Sequence, residues 1–196
     1  FFESGYPLDV AFHEDGKGFD LVLLNVNHAQ PGMLVHRYNG RGEKIAEMTL
    51  PGEELLPAIY LLNDDCTVLF NNETVLLADI SQGKILYEES FDRIEGLALA
   101  ANHMALLLDE GEGLGLYILR KSGASFSFEH LESFSKLEGD LILVNSRENI
   151  FLAQDKLIRA YDFASGRFLA ESELSESVIN LIAQDNNTLI VLTDKN

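Results

Sequence analysis

The sequence predicts an all-β protein, a β-propeller of about four to five four-stranded antiparallel blades with a repeat period of about 41 residues. The first observation is a phrase that recurs along the chain. In residues 160–170 it consists of a strand, a tight turn closed by a glycine and a returning strand. The corresponding glycines Gly42, Gly83, Gly123 and Gly166 lie 41, 40 and 43 residues apart. A fixed period of that size is typical of propeller and solenoid arrays.

The second observation is the polarity of the strands within each repeat. The first three strands are nearly continuous apolar runs, as expected of strands that are buried on both faces. The fourth strand alternates, as in residues 126–131, where every second residue is polar. That alternation indicates a strand with one solvated face. Buried inner strands followed by an outer strand with one solvated face are typical of a propeller blade.

The strands of the first two repeats are bounded by turn signals. Asp15-Gly16 and Asn39-Gly40 are strong hairpin signals, because glycine tolerates the positive φ that tight turns require. Asn63-Asp64-Asp65 and Asn71-Asn72-Glu73 mark the turns of the second repeat. The predicted strands are 8–12, 19–26, 33–38 and 44–50, followed by 58–62, 67–70, 74–78 and 85–89.

The later repeats follow the same plan. The third and fourth repeats each supply four strands, and a fifth repeat stops after two. The predicted strands are 96–100, 104–108, 114–119 and 125–130, then 140–144, 149–153, 156–161 and 168–172, then 178–182 and 188–192. We expect one domain over residues 1–196 with approximate blades 5–52, 53–94, 95–138, 139–176 and 177–196, the last incomplete.

The incomplete fifth repeat leaves two interpretations open. N-terminal residues could pair with it and close a ring within one chain, which would remove bare sheet edges. Alternatively, the chain is part of a larger propeller, or half of one that a second copy completes. The first interpretation predicts a monomer and the last a dimer.

Composition and charge exclude several classes of partner. A hydrophobic content of 46% with mean hydropathy near zero predicts a globular chain. No apolar run reaches the roughly 18 residues of a membrane helix, so we expect no membrane insertion of this chain. The formal net charge of -18 would repel phosphate backbones, so nucleic acid is not an expected partner. Cys66 is the single cysteine, and we expect a buried, inert thiol.

The turn phrase resembles a known repeat. Residues 78–84, Ala-Asp-Ile-Ser-Gln-Gly-Lys, and residues 161–167, Tyr-Asp-Phe-Ala-Ser-Gly-Arg, resemble the repeats of quinoprotein-like and WD40-like propellers. The chain departs from those families because it has no Trp and lacks the Gly-His dipeptide. Residues 4–17 resemble the first repeat of uncharacterised, membrane-anchored propeller-like proteins of Gram-positive bacteria. That resemblance implies a bacterial protein outside the cytoplasm, either extracytoplasmic or secreted; a cytoplasmic location is the alternative.

Carboxylates supply the candidate binding site. In a propeller, the loops from an outer strand to the next blade and from second to third strand gather on one face. This mapping predicts an acidic loop face that consists of Glu53, Glu54, Glu73, Asp92, Arg93, Asp109, Glu110 and Glu112. Such a face suits a protein, a cationic ligand or Ca²⁺. The alternative is a solvated rim that only keeps the chain soluble.

No residue is assigned a catalytic, cofactor-binding or metal-binding role. The five histidines are scattered without metal-ligand spacing, and no nucleophile motif is present. Residues 111–115, Gly-Glu-Gly-Leu-Gly, lie between two predicted strands and are expected to form a hairpin rather than a phosphate loop. We therefore predict a non-enzymatic protein- or ligand-binding scaffold. The alternatives are a quinoprotein-like oxidoreductase, a glycan or lactone hydrolase, or a structural spacer in a larger envelope protein.

Overall fold

The computed structural model describes residues 5–13, 16–25, 32–50, 55–100, 102–136, 140–186 and 188–194. Within these ranges the regular structure is almost entirely β, with eighteen strands. The strands belong to two compact units, residues 1–91 (unit 1) and 92–196 (unit 2). In the described part of the chain, no helix is long and apolar enough to cross a membrane.

Unit 1 contains two four-stranded antiparallel sheets, each with its strands in chain order. The first sheet consists of β1 (Gly5–Phe12), β2 (Gly18–Asn25), β3 (Gly32–Asn39) and β4 (Lys44–Leu50). The second consists of β5 (Ala58–Asn63), β6 (Cys66–Phe70), β7 (Thr74–Asp79) and β8 (Lys84–Ser90). The inner strand β5 packs beside β1 and β2.

Unit 2 contains two further sheets of the same kind and one sheet of two strands. The third sheet consists of β9 (Ile94–Ala100), β10 (His103–Asp109), β11 (Gly113–Ser122) and β12 (Ser125–Ser135). The fourth consists of β13 (Leu141–Asn145), β14 (Asn149–Gln154), β15 (Leu157–Asp162) and β16 (Phe168–Glu173). The fifth consists of β17 (Val178–Ala183) and β18 (Leu189–Thr193). The innermost strands β9, β13 and β17 are neighbours.

The predicted strands and their grouping into four-stranded blades are confirmed. Each repeat glycine lies in the hairpin between the third and fourth strand of its sheet, with φ of 77° at Gly42, 62° at Gly83, 61° at Gly123 and 71° at Gly166. Glycine reaches this left-handed conformation at the lowest cost, which explains why glycine recurs there. Residues 111–115 span the predicted hairpin between β10 and β11.

The repeat turn also contributes to the core. In the β7–β8 turn, the Asp79 carboxylate accepts a hydrogen bond from the Gln82 amide at 2.9 Å, and Ile80 between them is buried. In the β15–β16 turn, Asp162 accepts from the Ser165 amide at 2.7 Å, and Phe163 is buried. Ile80 belongs to the same buried cluster as residues of β2 and β3, and Phe163 belongs to the same buried cluster as residues of β9 to β11. Each turn therefore anchors its sheet to the preceding one.

The burial pattern follows the predicted polarity for the second, third and fourth strands, but the prediction is wrong for the first strands, since β1 is mostly exposed and β13 only partly buried. The second and third strands are the driest, and β7 is buried along its whole length. The outer strands are wet: β12 alternates over most of its length and every residue of β16 is exposed. Cys66 is buried and forms no disulfide, as predicted.

A buried ion pair connects the two sheets of unit 1. Asp20 on β2 and Arg37 on β3 are register partners, and their side chains form two hydrogen bonds of 2.8 Å. The guanidinium also donates to the hydroxyls of Thr67 and Ser81 and to the carbonyl of Asp64, all in the second sheet. All five N–H donors of Arg37 are therefore used. Sequence analysis missed this pair, although opposite charges at paired positions of two apolar strands were a visible signal.

Candidate functional site

Five segments of unit 2 lie at the same end of its sheets, which we call the loop end. Strand register places the start of β9, the β10–β11 turn and the last residues of β12 together in the third sheet. In the fourth sheet it places the β14–β15 turn beside the end of β16. These segments belong to the loops that lead from an outer strand to the next blade and to the turns between second and third strands. The sequence mapping assigned both kinds of loop to one face.

The structure brings part of the predicted acidic loop face together. The Arg93 carbonyl accepts a hydrogen bond from the Asp109 amide at 3.0 Å, which joins the segment with Asp92 and Arg93 to the β10–β11 turn. Glu110 and Glu112 lie in that turn. Glu73 belongs to unit 1, where its carbonyl accepts from the Phe91 amide. Glu53 and Glu54 lie outside the described residues.

Asp109 is held by cationic and backbone donors. Lys136 approaches its carboxylate at 2.6 Å, and the Gly111 amide donates to the same oxygen at 2.7 Å. The hydrogen bond from Lys136, with that from Gly111, holds the pKa of Asp109 below its ordinary value. Lys136 also donates to the Gly111 carbonyl at 3.2 Å. The negative charge of Asp109 is therefore largely compensated within the chain.

Glu110 is held by neutral donors. The Tyr117 hydroxyl donates to one carboxylate oxygen at 2.7 Å and the Ser133 hydroxyl to the other at 3.0 Å. His130 lies beyond Ser133, with its Nε2 3.8 Å from the carboxylate. The hydrogen bond to Glu110 raises the pKa of Tyr117. Glu110 is oriented by these contacts.

These carboxylates do not form a metal site of the usual kind. Across the described ranges, no group of three or more His, Cys, Asp or Glu side chains is arranged to hold a metal ion. Instead, the oxygens of Asp109 and Glu110 accept from lysine, hydroxyl and backbone donors. The arrangement is a hydrogen-bonded polar surface.

A cleft of about 770 Å³ opens at the loop end between the third and fourth sheets. Its apolar lining is Phe134, Leu141, Leu152 and Leu157. Its polar and charged lining is Glu132, Ser133, Ser135, Gln154, Asp155, Lys156, Arg159 and Glu173. Eight of the twelve lining residues are polar or charged, so the cleft is more polar than the usual small-molecule site.

Arg159 is the central charge in the cleft and is already paired. Its guanidinium donates to Glu132 at 2.8 Å and to Glu171 at 2.9 Å, and it lies 5.6 Å above the Phe134 ring. The Tyr161 hydroxyl donates to the other oxygen of Glu132. Burial, followed by this hydrogen bond, raises the pKa of Tyr161 well above its ordinary value. The hydrogen bond to Glu171 raises the pKa of Arg159.

The β14–β15 turn forms the rim of the cleft and is fixed by hydrogen bonds. The Asp155 carbonyl accepts from the Val178 amide at 2.6 Å, and the Lys156 carbonyl accepts from the Leu174 amide at 2.8 Å. Asp155 has a φ of 52°, and its carboxylate accepts from the Ser177 hydroxyl. These hydrogen bonds fix the rim to the segment that follows β16. Glu173 is exposed beside the rim.

Sequence analysis missed the residues of this cleft. The rule that selected the second-to-third-strand turn of the third repeat also selects Asp155 and Lys156 in the fourth, so these two were accessible from the sequence. Glu132 and Arg159 were not accessible in this way, because their contact joins two sheets across 27 positions of the chain.

The family of the chain is shown by a match over its whole length. A family model described as "Family of unknown function (DUF5711)" matches residues 1–196. The chain belongs to this family. No curated protein matches the DUF5711 chain significantly.

Solved structures show the fold. The β-propeller domain of Cps50 (Swd1) from Myceliophteria thermophila superposes with a TM-score of 0.61 at 14% identity, over 98% of this chain and 64% of that one. Hsv2 from Kluyvelomyces marxianus superposes with a TM-score of 0.58 at 12% identity, over 98% of this chain and 70% of that one. The predicted propeller fold is confirmed. The DUF5711 chain spans just under two thirds of the Cps50 domain.

Proposed function

We propose that this propeller is a non-enzymatic binding module, and that the loop end of unit 2 binds an extended cationic segment of a partner protein. One observation carries the proposal: the cations at this end are largely paired, whereas exposed carboxylates remain. Arg93 contacts Glu95 at 3.1 Å, and Lys136 and Arg159 have the carboxylate partners described above.

The remaining charge at the loop end is mainly negative. Asp92, Glu112 and Glu173 are exposed, and no cation among the described residues pairs with them. Lys156 is the cation at the rim without a carboxylate partner in the described ranges. In a chain with a formal net charge of -18, these carboxylates add to a field that attracts cationic segments and repels anionic ones.

The shape of the cleft favours an extended segment. One wall is the end of β12, which is an edge strand of the third sheet. Edge strands offer unpaired backbone groups to which an extended peptide can add. The Ser135 carbonyl already accepts from the Gln154 side chain at 2.6 Å, so the available edge begins before that residue. Leu157, which is only partly buried, supplies apolar surface for a side chain of the peptide.

The experiment measures binding of a fluorescent peptide of about eight alternating Lys and Leu residues by anisotropy, a length that matches a typical added strand. We expect binding that weakens between about 50 and about 300 mM salt, because exposed charges are screened. Replacing Glu112 and Glu173 together by Lys should weaken binding by about tenfold. Glu88→Lys together with Glu89→Lys on the outer strand β8 of unit 1 changes the formal charge by the same amount and is the matched control. Equal weakening by the control would show that only net charge matters and would refute the site.

The predicted alternatives have separate tests. Turnover on a panel of glycans and lactones, or retention of a quinone, would favour a propeller enzyme. Peptide binding that is the same in every variant, together with flanking catalytic domains in the full protein, would favour a structural spacer domain. The location outside the cytoplasm also stays a prediction, and fractionation of cells that express the full protein tests it.

A further inference from the structure

The last residues of β12 turn particular backbone groups toward the open edge of the third sheet. In an antiparallel pair, the backbone groups of two opposite residues either face each other or both face away. The Gly113 carbonyl accepts a hydrogen bond from the Glu110 amide at 3.0 Å, so Gly113 faces β10 rather than β12. Its register partner on β12 is Ser135, whose backbone groups therefore face away from β11. The hydrogen bond from the Gln154 side chain to the Ser135 carbonyl agrees with this orientation.

Ser133 is the next residue that faces outward. The direction of the backbone groups alternates along a strand, and the register with β11 has no shift over residues 132–135. Ser133 therefore points its N–H and C=O to the edge, whereas Glu132 and Phe134 point theirs to β11. Ser133 is exposed, and within the described ranges no turn or loop hydrogen bond reaches its backbone. An added strand can bond to this residue.

Gln154 closes the edge one step further along. The residue is buried, and its Nε2 donates to the Ser135 carbonyl at 2.6 Å. A strand that adds to β12 would bring a backbone N–H to this same carbonyl. The side-chain amide of Gln154 thus takes the place of a peptide N–H, and the ladder of an added strand stops there.

The two faces of β12 differ at this point. Side chains alternate between the faces of a strand. The Ser133 hydroxyl donates to Glu110, so Ser133 and Glu110 share one face. Phe134 belongs to the same buried cluster as Leu152 of the fourth sheet, so the other face lies toward that sheet. In an added strand, the side chain opposite Ser133 lies on the carboxylate face and its neighbours lie toward the fourth sheet.

We propose that Gln154 sets the register of the bound cationic segment, an inference that rests on the proposed function. The added strand pairs with Ser133 and its ladder ends at the Ser135 carbonyl. The side chain opposite Ser133 is cationic and lies beside Glu110, whose carboxylate accepts from two hydroxyl groups. The alternate side chains are apolar and lie toward Leu157. The site therefore selects a segment in which cationic and apolar residues alternate.

Anisotropy with the Lys–Leu peptide tests the register. Gln154→Leu removes the donor that holds the Ser135 carbonyl, so one further peptide N–H can bond there. We expect binding to become tighter by about two- to tenfold, because a hydrogen bond is gained on association. Gln82→Leu in the exposed β7–β8 turn is the matched control and should leave binding unchanged. Circular dichroism shows whether each variant keeps its fold.

Amide exchange resolved by NMR tests the same point in the unaltered chain. On peptide binding, the Ser133 amide should exchange at least about tenfold more slowly, because it gains a partner in the added strand. The amides of Glu132 and Phe134 already face β11 and should change less. This measurement keeps the proposal testable if Gln154→Leu fails to fold. Equal slowing of all three amides would overturn it.

Glu110→Gln tests the placement of the cation. The variant keeps an oxygen for the hydroxyls of Tyr117 and Ser133 but loses the charge. Peptide binding should weaken by about two- to fivefold and depend less on salt. Glu88→Gln on β8 is the control and should have no such effect. Equal effects of the two variants would overturn the placement of the cation beside Glu110.

The outcomes separate this inference from the proposed function. If the unaltered chain does not bind the peptide, the proposed function fails and the register fails with it. If the peptide binds and the charge variants of Glu112 and Glu173 weaken it, the proposed function stands. Unchanged affinity in Gln154→Leu, with no slowing at the Ser133 amide, would then show that only the register is wrong.

Discussion

The Asp20–Arg37 pair shows how a charge is accommodated in an apolar blade. Burying two charges costs several kcal/mol of desolvation, which their attraction repays only when the remaining donors are also satisfied. Here the donors of Arg37 that do not reach Asp20 contact Thr67, Ser81 and the Asp64 carbonyl. Since these acceptors belong to the next sheet, the pair fixes the alignment of two blades as well as the pairing of two strands.

Arg37→Met should lower the free energy of unfolding by about 3–5 kcal/mol, because it leaves the Asp20 carboxylate buried without its partner. Urea denaturation followed by circular dichroism measures this change. The double variant Asp20→Leu with Arg37→Met should recover much of the loss, since it removes both charges. A loss below about 1 kcal/mol for Arg37→Met would contradict a stabilising role for the network.

His36 makes unit 1 sensitive to acid. Burial, with a contribution from Lys44, lowers the pKa of His36 below its ordinary value of 6.5, while Glu47 opposes this shift. Above pH 6.5 the imidazole is neutral in both states and its contribution to stability is complete. As the pH falls below 6.5 the unfolded chain takes up a proton first, so stability falls until the folded pKa is reached.

His36→Gln should reduce this loss of stability below pH 6.5, because it removes the titrating group. Denaturant midpoints measured from about pH 7.5 to about pH 5 test the prediction against the ordinary histidine range. Lys44→Ala on the surface is a useful companion, since it removes a charge that lowers the pKa of His36 and should shrink the effect. An unchanged pH dependence in His36→Gln would assign the acid sensitivity to other groups.

At the scale of the element, the hairpin between third and fourth strand is the unit that repeats. Arg37 reaches Ser81 in the β7–β8 turn, and Arg120 on β11 donates to the carbonyls of Ala164 and Ser165 in the β15–β16 turn. An arginine on the third strand therefore contacts the glycine turn of the next sheet in both units. The turn is a junction between blades, which accounts for its recurrence in the sequence.

Gly83→Ala isolates the backbone requirement of this turn. A Cβ at Gly83 would meet nothing within 4 Å, so only the left-handed φ of 62° opposes the substitution. We expect a loss of about 1–2 kcal/mol in the free energy of unfolding. Gly83→Asn should cost less, because Asn tolerates this conformation. Thermal denaturation of both variants checks the order, and equal losses would indicate that the turn conformation is not the cause.

The elements themselves could be predicted because they depend on local signals. A period of about 41 residues and the polarity of each strand were sufficient to place the blades. The hairpin at residues 111–115 could be predicted because this segment lies between two predicted strands and carries carboxylates beside its glycines. The cleft could not be predicted in this way, because its wall and rim come from β12 and the β14–β15 turn, whose meeting is decided by the packing of two sheets.

At the scale of the whole molecule, charge and apolar surface are separated. The loop end of unit 2 carries exposed carboxylates, whereas the β17–β18 face has no charge. Under the proposed function, the first surface attracts a cationic partner, whereas the uncharged face does not.

The acidic loop face was only partly accessible from the sequence. The positions of the loops in the sequence identified Asp92, Asp109, Glu110 and Glu112. The structure adds which of these carboxylates are paired and which are exposed. Asp109 is compensated by Lys136, whereas Glu112 remains exposed. Such pairing depends on which side chains meet across sheets, so a count of carboxylates in the sequence overstates the number that a partner can use.

Hydrogen exchange of the chain, measured by mass spectrometry with and without the Lys–Leu peptide, tests the central claim most directly. The account predicts slower exchange in residues 109–113, 132–135 and 154–157, because these segments form the loop end and the wall of its cleft. The equally acidic outer strand β8 should be unaffected. Protection spread evenly over the acidic strands, or confined to unit 1, would contradict a binding site at the loop end.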